Sequence, residues 1–408
     1  MSATGGAELD ARKHIITFIA LIGMLISGLS VDIYAPSLPA VTQYFNVDKG
    51  LVQFSITTYM IGFGLAQLFA GSFSDSLGRK NPLIIAICLF SLISFLIPYS
   101  QSIYQLQLLR LLQGVAVACV NVPTRAIIAD LYEGPEFYKM MNYATIAWAI
   151  GPIIAPAIGG YLQHYIGWYA SFYFLGGYGV SLLLLNLFFL PETIKNRRPF
   201  NGRELLYWYW TLLHDRSYLL GIVCLGLLYA MLILFGVVAP FLIQNVLNYS
   251  AVHFGYMALL IGLAWFFGNI TNRFMIHIRI EKKVKISLMI MLMVTLVMLS
   301  FALKDTISIY DIILPTIFLY FLGGLVFPNL FAQNIAIFQH IAGYANGLMG
   351  SSVVLIAGVG SAVGIMLKSH SQVPLTLAYL SITMICLLCS FLVTYRELAT
   401  IKSSIVVE

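Results

Sequence analysis

The chain has 408 residues, of which 60% are hydrophobic and only 9% are charged. A soluble domain carries about 25% charged residues, so this composition excludes an ordinary water-soluble globular protein. The formal net charge of +6 comes from basic residues beside apolar segments, so it reports membrane topology and does not indicate nucleic-acid binding.

About twelve apolar segments run through the chain, each long enough to cross a bilayer as a helix. A hydrocarbon core of about 30 Å needs about 20 helical residues, and lipid admits only helices and closed barrels as spanning structures. The segments are continuous rather than alternating, which favours helices over a barrel. The predicted spans are residues 15–35, 51–71, 82–100, 104–128, 139–163, 169–190, 217–243, 252–275, 285–303, 310–332, 343–367 and 374–395.

Lysine and arginine residues are unevenly divided between the two sides of this predicted bundle. With both termini inside, 17 of the 22 basic residues lie in cytoplasmic segments and 3 lie in outer loops. Basic residues are enriched in the cytoplasmic loops of membrane proteins. The sequence therefore predicts a multi-pass protein of the inner, cytoplasmic membrane with both termini in the cytoplasm. The first segment lacks a small-residue cleavage site, so we expect a retained helix and not a signal peptide.

One hydrophilic stretch is longer than the other loops and divides the chain into two halves. The predicted regions are an N-terminal six-helix bundle, 1–190, a cytoplasmic linker, 191–216, and a C-terminal six-helix bundle, 217–408. The aromatic WYW of the linker predicts a segment along the membrane surface. A weak repeat, in which Gly71 and Asp75 correspond to Gly268 and Asn272, indicates two parallel repeats. The predicted fold class is an all-α membrane protein of twelve spans in two bundles.

In the first predicted span, Asp32 is the only acidic residue that lies well inside an apolar segment. A charged group within the bilayer is costly and marks an ion or proton pathway. We expect Asp32 to carry a proton between the two sides of the membrane. A structural cap near a helix kink at Pro36 is the alternative.

The second predicted span ends in GSFSDSLGRK. Here Gly71 would let a neighbouring helix approach, Gly78 would turn the chain, and Asp75 can pair with Arg79. The pattern resembles the signature G-x-x-x-D-x-x-G-R-[KR] of the major facilitator superfamily, between its helices 2 and 3. The resemblance implies a cytoplasmic latch that steadies the outward-facing state, completed by an acid at the end of span 4; a plain anchor loop and a solvated helix end are the alternatives. The predicted latch residues are Gly71, Asp75, Gly78, Arg79, Lys80 and Asp130.

Span 4 contains Arg110, a basic residue inside an apolar segment. A buried guanidinium normally faces a partner or a water-filled cavity. At 1.5 Å per residue, Arg110 and Asp32 both fall toward the outer half of the bilayer, so we expect them to pair as the proton-coupling residues. Arg110, Gln113 and Gly114 also resemble the superfamily's second signature. A structural arginine bound to carbonyl groups is the alternative.

The fifth predicted span contains AIGPIIAPAIGGYL. Two prolines four residues apart bend a helix, and glycines let it lie against a neighbour. The pattern resembles the motif G-P-x-x-x-[AP]-x-x-G-G of the superfamily's antiporters, which implies a hinge or a tight seam; packing without a transport role is the alternative. The predicted motif residues are Gly151, Pro152, Pro156, Gly159 and Gly160.

Aromatic and amide side chains occur along the spans that are predicted to line a central cavity. Such groups would suit a bulky, partly apolar and cationic molecule, although ordinary helix packing is the alternative for each of them. The predicted substrate-cavity residues are Tyr34, Tyr59, Gln113, Asn121, Tyr229, Gln244, Asn329 and Gln333.

Three longer strings narrow the resemblance. VDIYAPSLPAV, RAIIADLYEGPEFYKMM and VAPFLIQNVLNYSAVHFGY resemble the Bcr/CflA drug-resistance transporters, and the likeness covers nearly the whole chain. The chain departs from them at GWYASFYF, where a charged residue is usual. The resemblance implies a secondary transporter that works by alternating access and exports drugs or small amphipathic molecules in exchange for protons.

The sequence lacks the motifs that other classes of membrane protein would need. It contains no G-x-x-x-x-G-K-[ST] phosphate loop, and its 7 histidines are scattered, so we expect neither an ATP-driven pump, nor an enzyme, nor a metal site. A fold does not fix a substrate, so a dedicated importer or exporter of one metabolite, such as a siderophore, sugar or amino-acid derivative, is the alternative. We expect a monomer in the lipid bilayer that uses the proton gradient, without a cofactor or nucleic acid, and whose partners are protons and a small-molecule substrate.

Overall fold

The computed structural model describes residues 3–194, 196–197, 199–304, 307–366 and 371–405, and within these ranges it describes side chains from residue 13 to residue 392. Lys195, Arg198 and Lys368, which contribute to the predicted topology, lie outside the described residues. The regular structure of the described chain is helical. Contacts divide the chain into two units, Met1–Gly202 and Arg203–Glu408.

The first unit begins with a helix that is interrupted after Asp32. Its helices are α1 (Ala3–Asp32), α2 (Leu38–Phe45), α3 (Lys49–Leu77), α4 (Lys80–Leu96), α5 (Ile103–Leu131), α6 (Gly134–Tyr165) and α7 (Ala170–Phe189). A 3-10 turn at Ala35–Ser37 separates α1 from α2, because Pro36 lacks the backbone N–H that would continue α1. The Asp48 side chain accepts a hydrogen bond of 2.7 Å from the Gly50 N–H and so caps α3.

The second unit also contains six long helices, and one short helix precedes them. Its helices are α8 (Gly202–His214), α9 (Arg216–Phe241), α10 (Ala251–Phe274), α11 (Ile280–Ala302), α12 (Ile309–Ile337), α13 (Ala342–Met366) and α14 (Val373–Ile405). A π-helical turn, Leu242–Val246, extends α9. Asp215 caps α9 by accepting a 2.8 Å hydrogen bond from the Tyr218 N–H.

Twelve helical segments of the described chain are long and apolar enough to cross a membrane, six in each unit. This confirms the predicted all-helical fold with twelve spans. Several predicted spans were too short: the first span continues to Phe45, and the fifth span begins at Gly134. Hydropathy marks the lipid-covered part of a helix, whereas backbone hydrogen bonds and caps carry the helix beyond it.

The predicted linker contains helix α8, which packs on the second unit. Leu205, Tyr209 and Leu212 are buried, and the Tyr344 hydroxyl donates a 3.0 Å hydrogen bond to Glu204. The opposite face exposes apolar side chains, which are Leu206, Tyr207, Trp210 and Leu213. This two-sided pattern is typical of a helix in the membrane interface. The predicted division at residues 190 and 216 stays a prediction.

Candidate transport site

Arg110 lies in the middle of the first unit and is fully buried. Its Nη1 donates hydrogen bonds to the Ser30 carbonyl at 3.0 Å and to the Gln113 Oε1 at 2.6 Å. The Gln113 Nε2 in turn donates a 2.7 Å bond to the Ser94 hydroxyl, which fixes the orientation of the amide. Helices α1, α4 and α5 therefore position one guanidinium together.

Aromatic rings enclose the rest of this guanidinium. Its central carbon lies 4.4 Å from the ring centroid of Tyr59, 5.2 Å from that of Tyr34 and 5.8 Å from that of Phe172. Ring faces attract a cation at these distances. The Nε and Nη2 groups of Arg110 nevertheless have no acceptor among the described residues. A buried cation with free donors can therefore still bind a carboxylate or another acceptor.

Tyr34, Tyr59 and Gln113, which were predicted for the substrate cavity, thus meet around Arg110. Phe172 was missed by the sequence reasoning. It belongs to the segment GWYASFYF, and its ring lies close to the Arg110 guanidinium. The signal available in the sequence was the aromatic density of that segment, which does not reveal a partner 62 residues away in the chain.

Asp32 is the last residue of α1 and is half-buried. Among the ion pairs between described residues, none joins Asp32 to Arg110. The predicted direct pair is therefore not formed in this conformation. Arg110 binds the backbone carbonyl of Ser30 instead. The proton-coupling role of the two residues stays a prediction.

The predicted latch forms a compact ionic cluster at the ends of α3 and α5. Arg79 is 7% exposed, and its guanidinium contacts Asp75 at 2.5 Å and Asp130 at 3.1 Å. It also donates a 3.1 Å hydrogen bond to the Ser74 hydroxyl. Burial alone would lower the pKa of Arg79, but the hydrogen bonds and charges of Asp130 and Asp75 raise that pKa above its ordinary value.

Glu192 completes this cluster and was missed by the sequence reasoning. Its carboxylate accepts hydrogen bonds from the backbone N–H groups of Arg79 at 2.8 Å and Lys80 at 3.4 Å, so it caps α4 from the end of the first unit. Thr193 donates a 3.0 Å bond to Asp130. The only signal in the sequence was an acid directly after the sixth span, ahead of a basic stretch.

The two glycines of the latch motif have different surroundings. Gly78 has a φ of +98°, a conformation that favours glycine, and a Cβ there would lie 2.3 Å from a Glu192 carboxylate oxygen. At Gly71, by contrast, the nearest atom to an added Cβ would be a Val122 methyl carbon at 3.7 Å. The prediction that Gly71 permits a close helix approach is therefore wrong, because α3 already leaves room for a side chain there.

The antiporter-type motif lies in α6 and packs against α1. A Cβ at Gly159 would lie 2.0 Å from the Ile33 carbonyl oxygen, and one at Gly151 would lie 2.8 Å from the Leu25 carbonyl oxygen. Gly160 and Pro156 are also buried, whereas Pro152 is half-buried. The motif thus brings α6 into backbone contact with α1, next to Asp32.

Of the remaining predicted cavity residues, one lies in the first unit and four lie in the second. Asn121 is buried further along α5 and its amide oxygen has no hydrogen-bond partner among the described residues. In the second unit, Tyr229 lies in α9 and Gln244 in the π-helical turn. Asn329 donates a 2.9 Å hydrogen bond to Asn272, and Gln333 lines a separate cavity.

The repeat-related position in the second unit carries a weaker version of the ionic cluster. Asn272 stands where the first unit has Asp75, and its Oδ1 accepts hydrogen bonds from Lys283 at 2.7 Å and from Asn329 at 2.9 Å. An amide replaces the carboxylates here, so this contact lacks an ion pair. Between the described side chains, no group of three His, Cys, Asp or Glu residues could hold a metal ion.

The sequence matches the Major Facilitator Superfamily over residues 20–363, which is most of the chain. This protein therefore belongs to that superfamily of transporters and is not an enzyme, and the twelve spans of its described residues, in two sets of six, agree with this. The superfamily resemblance drawn from the sequence motifs is thereby confirmed.

Individual relatives are similar along nearly their full length. The chain is 25% identical to the bicyclomycin resistance protein homolog of Haemophilus influenzae over 401 residues, which cover 96% of this chain and 99% of that relative. It is 24% identical to multidrug resistance protein D of Escherichia coli over 397 residues, covering 93% and 96%. The first of these relatives supports the Bcr/CflA resemblance.

A solved transporter structure has the same fold. The D-xylose–proton symporter superimposes with a TM-score of 0.73 at 14% identity, covering 93% of this chain and 97% of the symporter. At this identity the likeness establishes the fold and leaves the substrate open.

Proposed function

We propose that the protein exports drugs or other small amphipathic molecules across the inner membrane in exchange for protons. The observation that carries the proposal is the buried Arg110, whose two free donor groups lie among aromatic rings in the same unit as Asp32. The names of two relatives, which refer to bicyclomycin and multidrug resistance, support a drug as the substrate. The protein works as a monomer, and the proton gradient supplies the energy.

Asp32 takes up the proton in this proposal. Protonation from the outer side neutralises its carboxyl group, and Arg110 then keeps the arrangement seen here, bound to the Ser30 carbonyl. When the proton leaves to the cytoplasm, the carboxylate becomes an acceptor for the free Nε and Nη2 groups of Arg110. A substrate that favours one of the two arrangements shifts the equilibrium between them by its differential affinity.

In this proposal the substrate binds beside the aromatic rings that surround Arg110. Tyr34, Tyr59 and Phe172 are fully buried in the arrangement seen here, so a partly apolar molecule reaches their rings only when the unit opens. Gln113 is already engaged at both ends of its amide, so it positions Arg110 and does not serve as a free hydrogen-bonding group.

The test uses the full chain in proteoliposomes with an imposed pH gradient, and ethidium and bicyclomycin as probes. We expect Asp32→Asn to abolish transport that the gradient drives while dye binding persists. The matched control is Glu136→Gln, which removes a carboxylate whose side chain is 71% exposed. Full gradient-driven transport by Asp32→Asn would refute the proton role, and a wild-type protein that moves neither probe would favour transport of a dedicated metabolite.

A further inference from the structure

The second unit contains a cavity of about 430 Å³. Helices α9, α11, α12 and α14 enclose it where α9 begins and α12 ends, which is the predicted cytoplasmic side of the membrane. The volume lies within the range of cavities that hold small ligands. This cavity belongs to the second unit alone and contains none of the groups around Arg110.

The first unit shows that the fold does not require such a cavity. The corresponding helices of the first unit are α1, α4, α5 and α7. They enclose only about 10 Å³, because aliphatic residues such as Ile16, Leu83 and Leu182 fill the space. In the second unit the walls are more polar, with Ser217 and Gln333 among the residues that line the space. The open volume is therefore a feature of this sequence and not of the repeat.

The cavity also carries charge where its counterpart has none. Asp215, Glu281 and Lys285 line it, together with the amide of Gln333. Glu281 and Lys285 are four residues apart on α11, yet no ion pair between described residues joins them. The Lys285 ammonium instead lies 5.1 Å from the ring centroid of Phe391. Asp215 already accepts a hydrogen bond from the Tyr218 N–H as the cap of α9, so the Glu281 carboxylate and the Lys285 ammonium are the charges that a ligand can use.

The surface beside the cavity is apolar, on helices that are long and apolar enough to cross a membrane. The exposed side chains there are Ile286, Ile337, Leu388 and Phe391, on the three helices α11, α12 and α14. A ligand that reaches the charged groups from this side has to be amphipathic, with a polar head and hydrocarbon tails. Membrane phospholipid is the amphipathic molecule that surrounds these helices.

We propose that this cavity binds the head group of a zwitterionic aminophospholipid. The phosphate would pair with Lys285 and the primary ammonium with Glu281, so that each charge of the head group meets an opposite charge in the cavity. The acyl chains would lie along the apolar side chains beside it. An anionic phospholipid without the ammonium would leave Glu281 unpaired and would bind more weakly.

The test is native mass spectrometry of the purified, delipidated full chain titrated with phosphatidylethanolamine or phosphatidylglycerol. We expect the wild type to prefer phosphatidylethanolamine by about tenfold, as charge-assisted hydrogen bonds imply. Glu281→Gln combined with Lys285→Gln should abolish the preference. The matched control is Glu136→Gln combined with Lys139→Gln, which removes one exposed acid and one exposed base from the first unit and should keep it.

Ala336→Trp provides a second variant that blocks the cavity and leaves its charges in place; it should lower phosphatidylethanolamine binding as well. Equal binding of the two lipids by the wild type, or an unchanged preference in the double variant, would overturn the proposal. Binding of soluble glycerophosphoethanolamine as tight as that of the lipid would also overturn it, because the site would then not depend on the membrane.

Discussion

At the scale of single residues, carboxylates that accept hydrogen bonds from cationic or backbone N–H groups hold the end of the first unit in place. Glu192 is the clearest case, because backbone N–H groups of Arg79, Lys80, Thr193 and Ile194 all donate to it. Burial alone would raise the pKa of Glu192, but these four hydrogen bonds outweigh burial and lower it below its ordinary value of 4.5. The folded protein therefore favours the charged form of Glu192.

This lowered pKa predicts how stability depends on pH. A group whose pKa is lower in the folded state stabilises the protein above its unfolded-state pKa and loses that effect as the pH falls through the folded-state pKa. We expect Glu192→Gln to lower the melting temperature in detergent at pH 7, and the gap to the wild type to narrow as the pH falls below 4.5.

The matched control for Glu192 is Glu133→Gln. Glu133 precedes α6 but makes no side-chain bond to the helix start, so its replacement should leave the melting temperature nearly unchanged at pH 7. A gap between Glu192→Gln and the wild type that stays constant from neutral to acidic pH would show that the charge of Glu192 does not stabilise α4.

At the scale of helices, close backbone approach decides which glycines are indispensable. A Cβ at Gly268 of α10 would lie 2.0 Å from the Phe321 carbonyl oxygen of α12, whereas the repeat-related Gly71 of α3 leaves 3.7 Å to the nearest atom. The two units thus use the same sequence position differently. In the second unit glycine sets the helix spacing, and in the first it does not.

We therefore expect opposite results for the same substitution at the two positions. Gly268→Ala should destabilise the protein by about 1–3 kcal/mol, because α10 and α12 have to move apart. Gly71→Ala should be neutral or stabilise by up to about 1 kcal/mol, because alanine loses less entropy in a helix than glycine does. Melting temperatures of the two variants measured side by side check this. A Gly71→Ala variant that is as unstable as Gly268→Ala would contradict it.

At the scale of the whole molecule, the spans and the local motifs were predictable from the sequence, and contacts between distant segments were not. Hydropathy identified twelve spans, and the close spacing of Asp75 and Arg79 along the chain identified their ion pair. Glu192 contacts Arg79 from 113 residues away, which no local pattern encodes. The separation of Asp32 from Arg110 depends on where α1 ends, and sequence locates helix ends less well than helices.

Orientation in the membrane is the remaining property of the whole molecule, and the cytoplasmic placement of the latch and the linker rests on it. The bias of basic residues predicts cytoplasmic termini. Glu136 lies 3.9 Å from Lys13, so the start of α6 and the start of the first span lie on the same side. Gln101 lies in the connection between α4 and α5, which an alternating path of spans places on the other side.

Single cysteines at these two positions test the orientation, in a chain whose five native cysteines are replaced by alanine. A membrane-impermeant maleimide added to whole cells should label Gln101→Cys, which is exposed. It should label Glu136→Cys only after the cells are permeabilised, because the inner membrane then no longer protects that side. The reverse pattern would place the basic loops outside. The direction of the proposed export would not change, because in an exchange of substrate for protons the proton gradient fixes which way the substrate moves; the sides assigned to the ionic cluster and to the linker would be exchanged.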